Sequence, residues 1–216
     1  MYRILKERTG FAIFMQIFIL TWLFAFLIVL INTKSDIHEY LNSYHSVFLD
    51  IFFQAITFLG DGIFAVLIAI LVFFVKGRKE GVLLISTFII SAIFAQGLKN
   101  FVFYESMRPL FYIKAGELNV ETVDGLKMHL NHSFPSGHTT TIFALCSMFA
   151  LLFNSKRFGV LLLLIAIITA YSRIYLSQHF LQDIVAGSLL GVITSSVIYY
   201  VLAKKKWVNT NNSTEK

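Results

Sequence analysis

Long apolar runs alternate with short polar clusters along the chain, and this alternation predicts a bundle of membrane-spanning helices. A helix needs about 20 predominantly apolar residues to cross the hydrocarbon core of a bilayer. The predicted spans are 11–32, 62–76, 81–98, 136–154, 158–178 and 184–203, of which 62–76 is short for a span. The predicted fold class is therefore all-α, an integral membrane bundle of six transmembrane helices.

The segment before the second span has a different character. Residues 46–60 are rich in apolar side chains but also carry Asp50 and Gln54, which favours a short helix that lies at the membrane interface. The first apolar run is longer than that of a cleavable signal peptide, so we interpret it as a span. Neither a Gly/Ser linker nor a repeat interrupts the chain. We therefore expect one membrane domain over 1–216, with 99–135 as its long outer loop.

Composition narrows the class of protein further. Hydrophobic residues make up 57% of the 216 residues and charged residues 14%, against roughly 25% charged in soluble domains. This excludes a conventional soluble enzyme, and it makes nucleic acid an unexpected partner despite the net charge of +6. The single cysteine, Cys146, excludes an intrachain disulfide and a cysteine-based metal site.

The distribution of lysine and arginine predicts the orientation. Twelve of the eighteen fall in the termini and in the connections on the same side, near residues 3–8, 76–79, 156–157 and 204–216. The positive-inside rule then places both termini in the cytoplasm. Segments 33–61, 99–135 and 179–182 face outward in this arrangement. The expected location is the cytoplasmic membrane of a bacterium, crossed several times.

Ionisable residues that the topology does not require gather at the outer ends of the predicted spans. Such groups at membrane depth are costly and are usually functional. The set comprises Lys99, Arg108, His138, Arg173, His179 and Asp183. Six residues on four different elements at one membrane face predict a common site.

The residue types in this set suggest phosphate chemistry. Ser136, Gly137 and His138 begin a predicted helix, and a helix N-terminus with a glycine suits an anion. His179 and Asp183 are four residues apart, so the carboxylate can fix one imidazole nitrogen and leave the other as a nucleophile. His138 can protonate a leaving oxygen. Together these features indicate phosphoryl transfer through a phosphohistidine.

The spacing resembles a known family. The stretch Pro135-Ser136-Gly137-His138 and the pattern Ser172-Arg173, five residues, His179, three residues, Asp183 are similar to two signatures of the type 2 phosphatidic acid phosphatase superfamily. Lys99 with Arg108-Pro109 resembles the third. The resemblance implies that His179 is the nucleophile, Asp183 its orienting partner and His138 the general acid. It further implies phosphate binding by Lys99, Arg108, Ser136, Gly137 and Arg173, with no cofactor and no metal.

The first signature departs from the usual spacing. Family members typically have six residues between the lysine and Arg-Pro, whereas eight separate Lys99 from Arg108 here. On a continuous helix a step of nine residues lands on the opposite face, at about 900°. If both cations touch one phosphate, the helix must end or bulge between them. Arg108 is thus the member of the set that the spacing supports least.

Several of these residues also have simpler interpretations. Lys99 is typical of an interfacial anchor, and Asp183 is typical of a helix N-cap. His129 and His132 are more typical of loop residues than of catalysts. Asp61, between two glycines, is typical of a turn, and Glu105 either pairs with Arg108 or faces water. It is the joint spacing on one membrane face that favours catalysis.

The resemblance implies a lipid phosphatase whose partners are membrane lipids and a lipid phosphate or diphosphate substrate. Undecaprenyl diphosphate and phosphatidylglycerophosphate are the first expectations, with the 1-phosphate of lipid A and phosphatidate as alternatives. A proton-coupled transporter is a remote alternative, because the inner halves of the spans carry almost no ionisable group. A haloperoxidase-like enzyme is another. The sequence leaves the head group and the oligomeric state open.

Overall fold

Every regular element of the described chain is helical. The computed structural model describes residues 8–204. The α-helices within that range are α1 (Thr9–Ile31), α2 (Lys34–Leu41), α3 (Val47–Ile56), α4 (Gly62–Val75), α5 (Arg78–Gly97), α6 (Pro109–Lys114), α7 (Gly137–Phe153), α8 (Lys156–Tyr175) and α9 (Leu181–Lys204). A 3₁₀ turn (Thr57–Gly60) joins α3 to α4, and a π turn (Leu98–Val102) extends α5. The all-α prediction is confirmed.

Four helical segments are long and apolar enough to cross a membrane: Thr9–Ile31, Arg78–Val102, Lys156–Tyr175 and Leu181–Leu202. A fifth span results if Val47–Gly60 and Gly62–Val75, which meet at 60°, are counted together. Helix α7 is apolar but has 17 residues, somewhat fewer than a straight span needs. Residues 8–204 therefore form a membrane-type helical bundle with four or five candidate spans, against the six predicted.

Helix α7 is the centre of the bundle. Twelve of its residues are buried, because α5, α8 and α9 surround it. Glycines let α9 approach closely: a Cβ at Gly187 would lie 2.7 Å from the Ser136 carbonyl oxygen, and one at Gly191 would lie 2.5 Å from that of Thr140. The Ser147 and Ser195 hydroxyls bond across the same interface at 2.5 Å. Close backbone contact thus fixes the two helices that begin beside the predicted site.

The connections that were predicted to face outward contain more structure than the sequence predicted. The segment 33–61 includes α2, which was not predicted, and then α3, which lies inside the predicted interfacial helix 46–60. The loop 99–135 contains α6 and buries Leu118 and Val123. Backbone bonds tie its two ends together, since Arg108 N donates to Leu130 O at 2.8 Å and Ser133 N donates to Ser106 O at 2.9 Å. The loop therefore folds back over one end of the bundle.

Some predicted helix boundaries move. The third span continues through the π turn to Val102 instead of ending at residue 98, and α8 ends at Tyr175 instead of reaching residue 178. Asp61 is the N-cap of α4, so the turn predicted there is confirmed. These shifts leave α5 and α8 ending, and α4, α7 and α9 beginning, around the predicted site residues.

Candidate active site

The pair His179 and Asp183 forms as predicted, although by a different route. His179 lies in the connection before α9, and Asp183 is in the first turn of that helix. Asp183 Oδ2 accepts from Phe180 N at 3.0 Å and lies 3.2 Å from His179 Nδ1. A carboxylate in the first turn that accepts from the residue before the helix is one half of a capping box. Asp183 is therefore both a helix cap and the partner of His179, and both side chains are buried.

Ser133, which was not predicted as a site residue, completes this pair. Its hydroxyl donates to Asp183 Oδ2 at 2.5 Å and lies 3.4 Å from His179 Nδ1. Three donors thus surround one carboxylate oxygen, while the other, Oδ1, is buried without a hydrogen-bond partner. These three contacts fix the position of the carboxylate beside His179. A lone serine in a loop carries no pattern from which this contact could have been predicted.

Lys99 and Arg108 converge in spite of their unusual spacing. The π turn at Leu98–Val102 bulges α5 and the chain then leaves the helix, which confirms that the helix bulges or ends between the two cations. Lys99 Nζ donates to His132 O at 2.9 Å, and Arg108 Nη2 lies 3.5 Å from the same oxygen. The main chain of the loop thus brings the two cations together. His132 contributes its carbonyl group here and not its imidazole.

Arg173 enters the same region from the last turn of α8. Its Nη1 donates to Thr57 Oγ1 of the 3₁₀ turn at 2.7 Å, and its Nε is buried without a hydrogen-bond partner. An unsatisfied buried donor costs free energy unless a ligand or water supplies an acceptor. Arg173 is therefore held at one end and has donor capacity left at the other.

The start of α7 supplies the remaining predicted residues. Ser136 is buried and caps the helix by accepting from Thr139 N at 3.4 Å. A Cβ at Gly137 would meet no atom within 4 Å, so space is open beside its backbone. His138 follows, 32% exposed, with its Nε2 3.8 Å from Asp61 Oδ2. The open space lies at a helix N-terminus, where an anion is favoured.

The positive charges of the site act directly on His179. Burial, and next the charges of Arg108, Lys99 and Arg173, hold the pKa of His179 well below its ordinary value of 6.5. The imidazole is therefore neutral near pH 7, which is the form that can attack phosphorus. Burial also lowers the pKa of the Arg108 guanidinium, an effect that Asp183 opposes. Arg108 stays charged, since its ordinary pKa is far above neutrality.

A polar layer from α2 supports the connection that carries His179. Asn42 Nδ2 donates to Ile174 O at 3.0 Å and to Tyr175 O at 2.8 Å, so the amide caps the C-terminal end of α8. Ser177 has a φ of 49°, and its hydroxyl lies 3.2 Å from His38 Nε2. These contacts hold the turn between α8 and α9 in one conformation.

The structure thus places all eight predicted site residues at one end of the bundle. Lys99, Arg108, Arg173 and His138 all contribute to the electrostatics of His179. His129 and Glu105 are exposed, and neither makes an ion pair in the described part of the chain. Within residues 8–204, no three histidine, cysteine, aspartate or glutamate side chains form a cluster that could hold a metal ion.

A family model matches residues 80–207, which is more than half of the chain, and its description is the PAP2 superfamily. This chain belongs to the PAP2 superfamily. The matched residues contain all eight members of the candidate site. The resemblance seen in the motifs is therefore confirmed at the level of the family.

Relatives of known identity cover parts of the chain. A lipid A 4'-phosphatase of Porphyromonas gingivalis is 26% identical over 144 residues, which are 64% of this chain and 60% of that protein. An undecaprenyl-diphosphatase of Sulfolobus acidocaldarius is 28% identical over 124 residues, which are 57% of this chain and 55% of that protein. The chain thus spans just over half the length of these relatives.

Two solved structures share the fold. LpxE of Aquifex aeolicus superposes with a TM-score of 0.64 at 26% identity, over 76% of this chain and 93% of that one. A PAP2-type phosphatidylglycerolphosphate phosphatase from Bacillus subtilis superposes with a TM-score of 0.65 at 20% identity, over 94% of this chain and 98% of that one. The second likeness extends over nearly the whole chain, and it shows a PAP2-type membrane fold.

Proposed function

We propose that this protein is a lipid phosphatase that hydrolyses the terminal phosphate of a lipid phosphate or diphosphate through a phosphohistidine. The observation that carries the proposal is the His179–Asp183 pair at 3.2 Å beside three converging cations. A buried neutral imidazole among positive charges suits attack on an anionic phosphate.

The side chains then divide the reaction as follows. His179 attacks phosphorus while Asp183 stabilises the positive charge that develops on the ring. Lys99, Arg108 and Arg173, with the backbone at Gly137 and the capped end at Ser136, bind the phosphate oxygens. His138 gives its proton to the leaving lipid oxygen, and in the second step it takes one from the water that releases phosphate. None of these roles requires a divalent ion or another cofactor.

The proposed substrate rests on the relatives as well as on the site. Undecaprenyl diphosphate and phosphatidylglycerophosphate are the substrates we place first, with the 1-phosphate of lipid A and phosphatidate as alternatives. Relatives named as undecaprenyl-diphosphatase and as lipid A phosphatases support this group of lipids without separating its members. Phosphate release by purified protein from each of the four lipids identifies the preferred head group.

The proposed setting is the cytoplasmic membrane of a bacterium, with the single domain 1–216 crossing it six times. In this arrangement α4 and α7 complete the spans 62–76 and 136–154, α3 lies at the interface, and the site faces outward. Both termini, which lie outside the described residues, are cytoplasmic. A cysteine placed at Gly116 should react with an impermeant thiol reagent in intact cells, while one at Asn209 should not. The reverse labelling contradicts the orientation.

The mechanism is tested by trapping the intermediate. A rapid alkaline quench with a ³²P-labelled lipid should leave an alkali-stable, acid-labile label on His179, and His179→Ala should abolish both label and turnover. His138→Ala should slow formation of the intermediate by roughly 10²–10⁴-fold. An aryl phosphate, whose leaving group needs little protonation, should restore His138→Ala far more than His179→Ala. Label on His138, or restoration of His179→Ala, refutes the assignment.

Metal independence has its own test. The site presents three cations and one central carboxylate, which is a poor set of ligands for Mg²⁺. Activity should survive EDTA, and vanadate, which can adopt a trigonal bipyramidal form, should inhibit. Loss of activity in EDTA with recovery in Mg²⁺ contradicts the proposed site.

A further inference from the structure

The segment 57–61, between α3 and α4, forms a wall of the candidate site that the family signatures do not include. Thr57 accepts a hydrogen bond from Arg173 at 2.7 Å. Gly60 lies against the start of α7, because a Cβ there would be 2.9 Å from the His138 carbonyl oxygen and 3.0 Å from its Cβ. Only a glycine allows this approach, so the next residue, Asp61, is held beside the His138 side chain.

The two carboxylate oxygens of Asp61 have different neighbours. Oδ1 accepts from Ile63 N at 2.7 Å and caps α4. Oδ2 lies 3.8 Å from His138 Nε2, an ion-pair distance, and both side chains are about one-third exposed. The cap fixes the direction of the carboxylate, so little side-chain entropy is lost in presenting Oδ2 to His138.

The charges around His138 show why a carboxylate matters there. Burial of its ring, and next the charges of Arg173, Arg108 and Lys99, oppose a positive charge on His138. His179 lies nearby, and its Asp183 partner is engaged with His179 and Ser133. Among residues 8–204, Asp61 is the carboxylate that lies within 4.0 Å of His138. A general acid must carry a proton before it can donate one.

We propose that Asp61 is a positioning residue for the reaction: it keeps His138 protonated and oriented for the leaving group. This inference rests on the proposed function. As the P–N bond to His179 forms, the P–O bond to the lipid breaks, and its electron pair goes to the leaving oxygen. That oxygen takes the proton of His138, whose ring becomes neutral. In the second step, water attacks phosphorus, its proton returns to His138, and the P–N bond breaks.

Asp61→Asn tests the proposal, because asparagine also caps helices and removes the charge alone. Formation of the phosphoenzyme from a lipid substrate should slow roughly 10-fold, part of the worth of the general acid, while KM stays within about 2-fold. The alkaline limb of the kcat profile should move to lower pH, because His138 gives up its proton more easily. An aryl phosphate should be hydrolysed at the normal rate. Asp124→Asn, an exposed aspartate in the outer loop, is the matched control.

Two further variants separate this proposal from the proposed function. In a His138→Ala background, Asp61→Asn should add almost nothing, since residues that act through one another are not additive. If His138→Ala shows the leaving-group dependence and Asp61→Asn does not, the role proposed for Asp61 is refuted while the proposed function stands. If His138→Ala lacks that dependence, the proposed mechanism is refuted, and the role of Asp61, which depends on it, is refuted as well. Asp61→Ser, another good cap, replaces Asp61→Asn if that variant does not fold.

Discussion

Ser133 offers a sharp test of how the proposed nucleophile, His179, is supported. Its hydroxyl is one of three donors on Asp183 Oδ2, and Oδ1 is buried with no hydrogen-bond partner. Ser133→Ala leaves His179 Nδ1 and Phe180 N as the remaining donors. A hydrogen bond to a charged group contributes about 1.5–3 kcal/mol. Because Asp183 is needed most when His179 becomes cationic, we expect this loss to fall on the transition state.

The expected magnitude follows from that free energy. At about 1.4 kcal/mol for each tenfold in rate, Ser133→Ala should slow phosphoenzyme formation roughly 10- to 150-fold. The value of KM should change little, because the Ser133 side chain is buried and its hydroxyl contacts Asp183 and His179. A rapid-quench measurement with labelled lipid separates the rate of phosphorylation from substrate binding.

The matched control is Ser188→Ala, also on a buried serine, whose hydroxyl bonds to Val185 O within α9. It should leave the rate within about 2-fold. In an Asp183→Asn background, Ser133→Ala should lose most of its effect, because the two residues act as a unit. A full effect in that background, or a change confined to KM, refutes the role given to Ser133.

Three other predictions concern protonation and space. Burial and the charge of Arg108 hold the pKa of His179 well below 6.5. The ring NMR signals of His179, assigned by their absence in His179→Gln, should therefore not shift between pH 7.5 and 5.5. A titration midpoint near pH 6.5 contradicts this prediction. Burial lowers the pKa of His38 from 6.5 to about 4, so the unfolded chain binds a proton that the folded one does not, and stability falls as the pH drops through this range. His38→Gln should recover up to about 3 kcal/mol of the unfolding free energy lost between those pH values, and an unchanged pH dependence of thermal unfolding contradicts that. Gly137→Ala should leave the melting temperature unchanged, because a Cβ there meets no atom within 4 Å. The same variant should lower kcat/KM by about 10²-fold, because the added methyl group displaces the phosphate. Unaltered kinetics would show that the substrate lies elsewhere.

The sequence predicted the site best where chemistry and spacing agree. His179 and Asp183 meet as their separation suggested, although His179 precedes α9 and the contact depends on the capping geometry of Asp183. The spacing of Lys99 and Arg108 correctly required a break in the helix. The break is a π turn followed by a loop whose carbonyl groups accept hydrogen bonds from both cations. This geometry depends on long-range packing that no local pattern encodes.

The residues that were missed share a physical reason. Ser133 and Asn42 act through hydrogen bonds between segments far apart in the chain, and a lone polar residue in a loop has no periodicity. Asp61 was correctly interpreted as a turn residue, but its second oxygen points at His138 because of how α3 and α4 bend. The predicted number of spans also depended on packing. Helix α7 was counted as a full span, but it is buried by its neighbours and need not be long to be stable.

The glycine contacts between α7 and α9 also determine where the protein can change. With Gly187 and Gly191 seated on α7 carbonyl groups, and Ser136 N bonded to Asp183 O at 3.0 Å, these helices cannot slide or separate without a clash or a lost bond. The side of the site formed by α7 and α9 is thus rigid. Room for a larger or smaller head group has to come from the opposite side of the site, the 99–135 loop. Under the proposed function, variants aimed at another lipid should change residues of this loop other than Lys99, Arg108 and Ser133, and should keep Gly187 and Gly191.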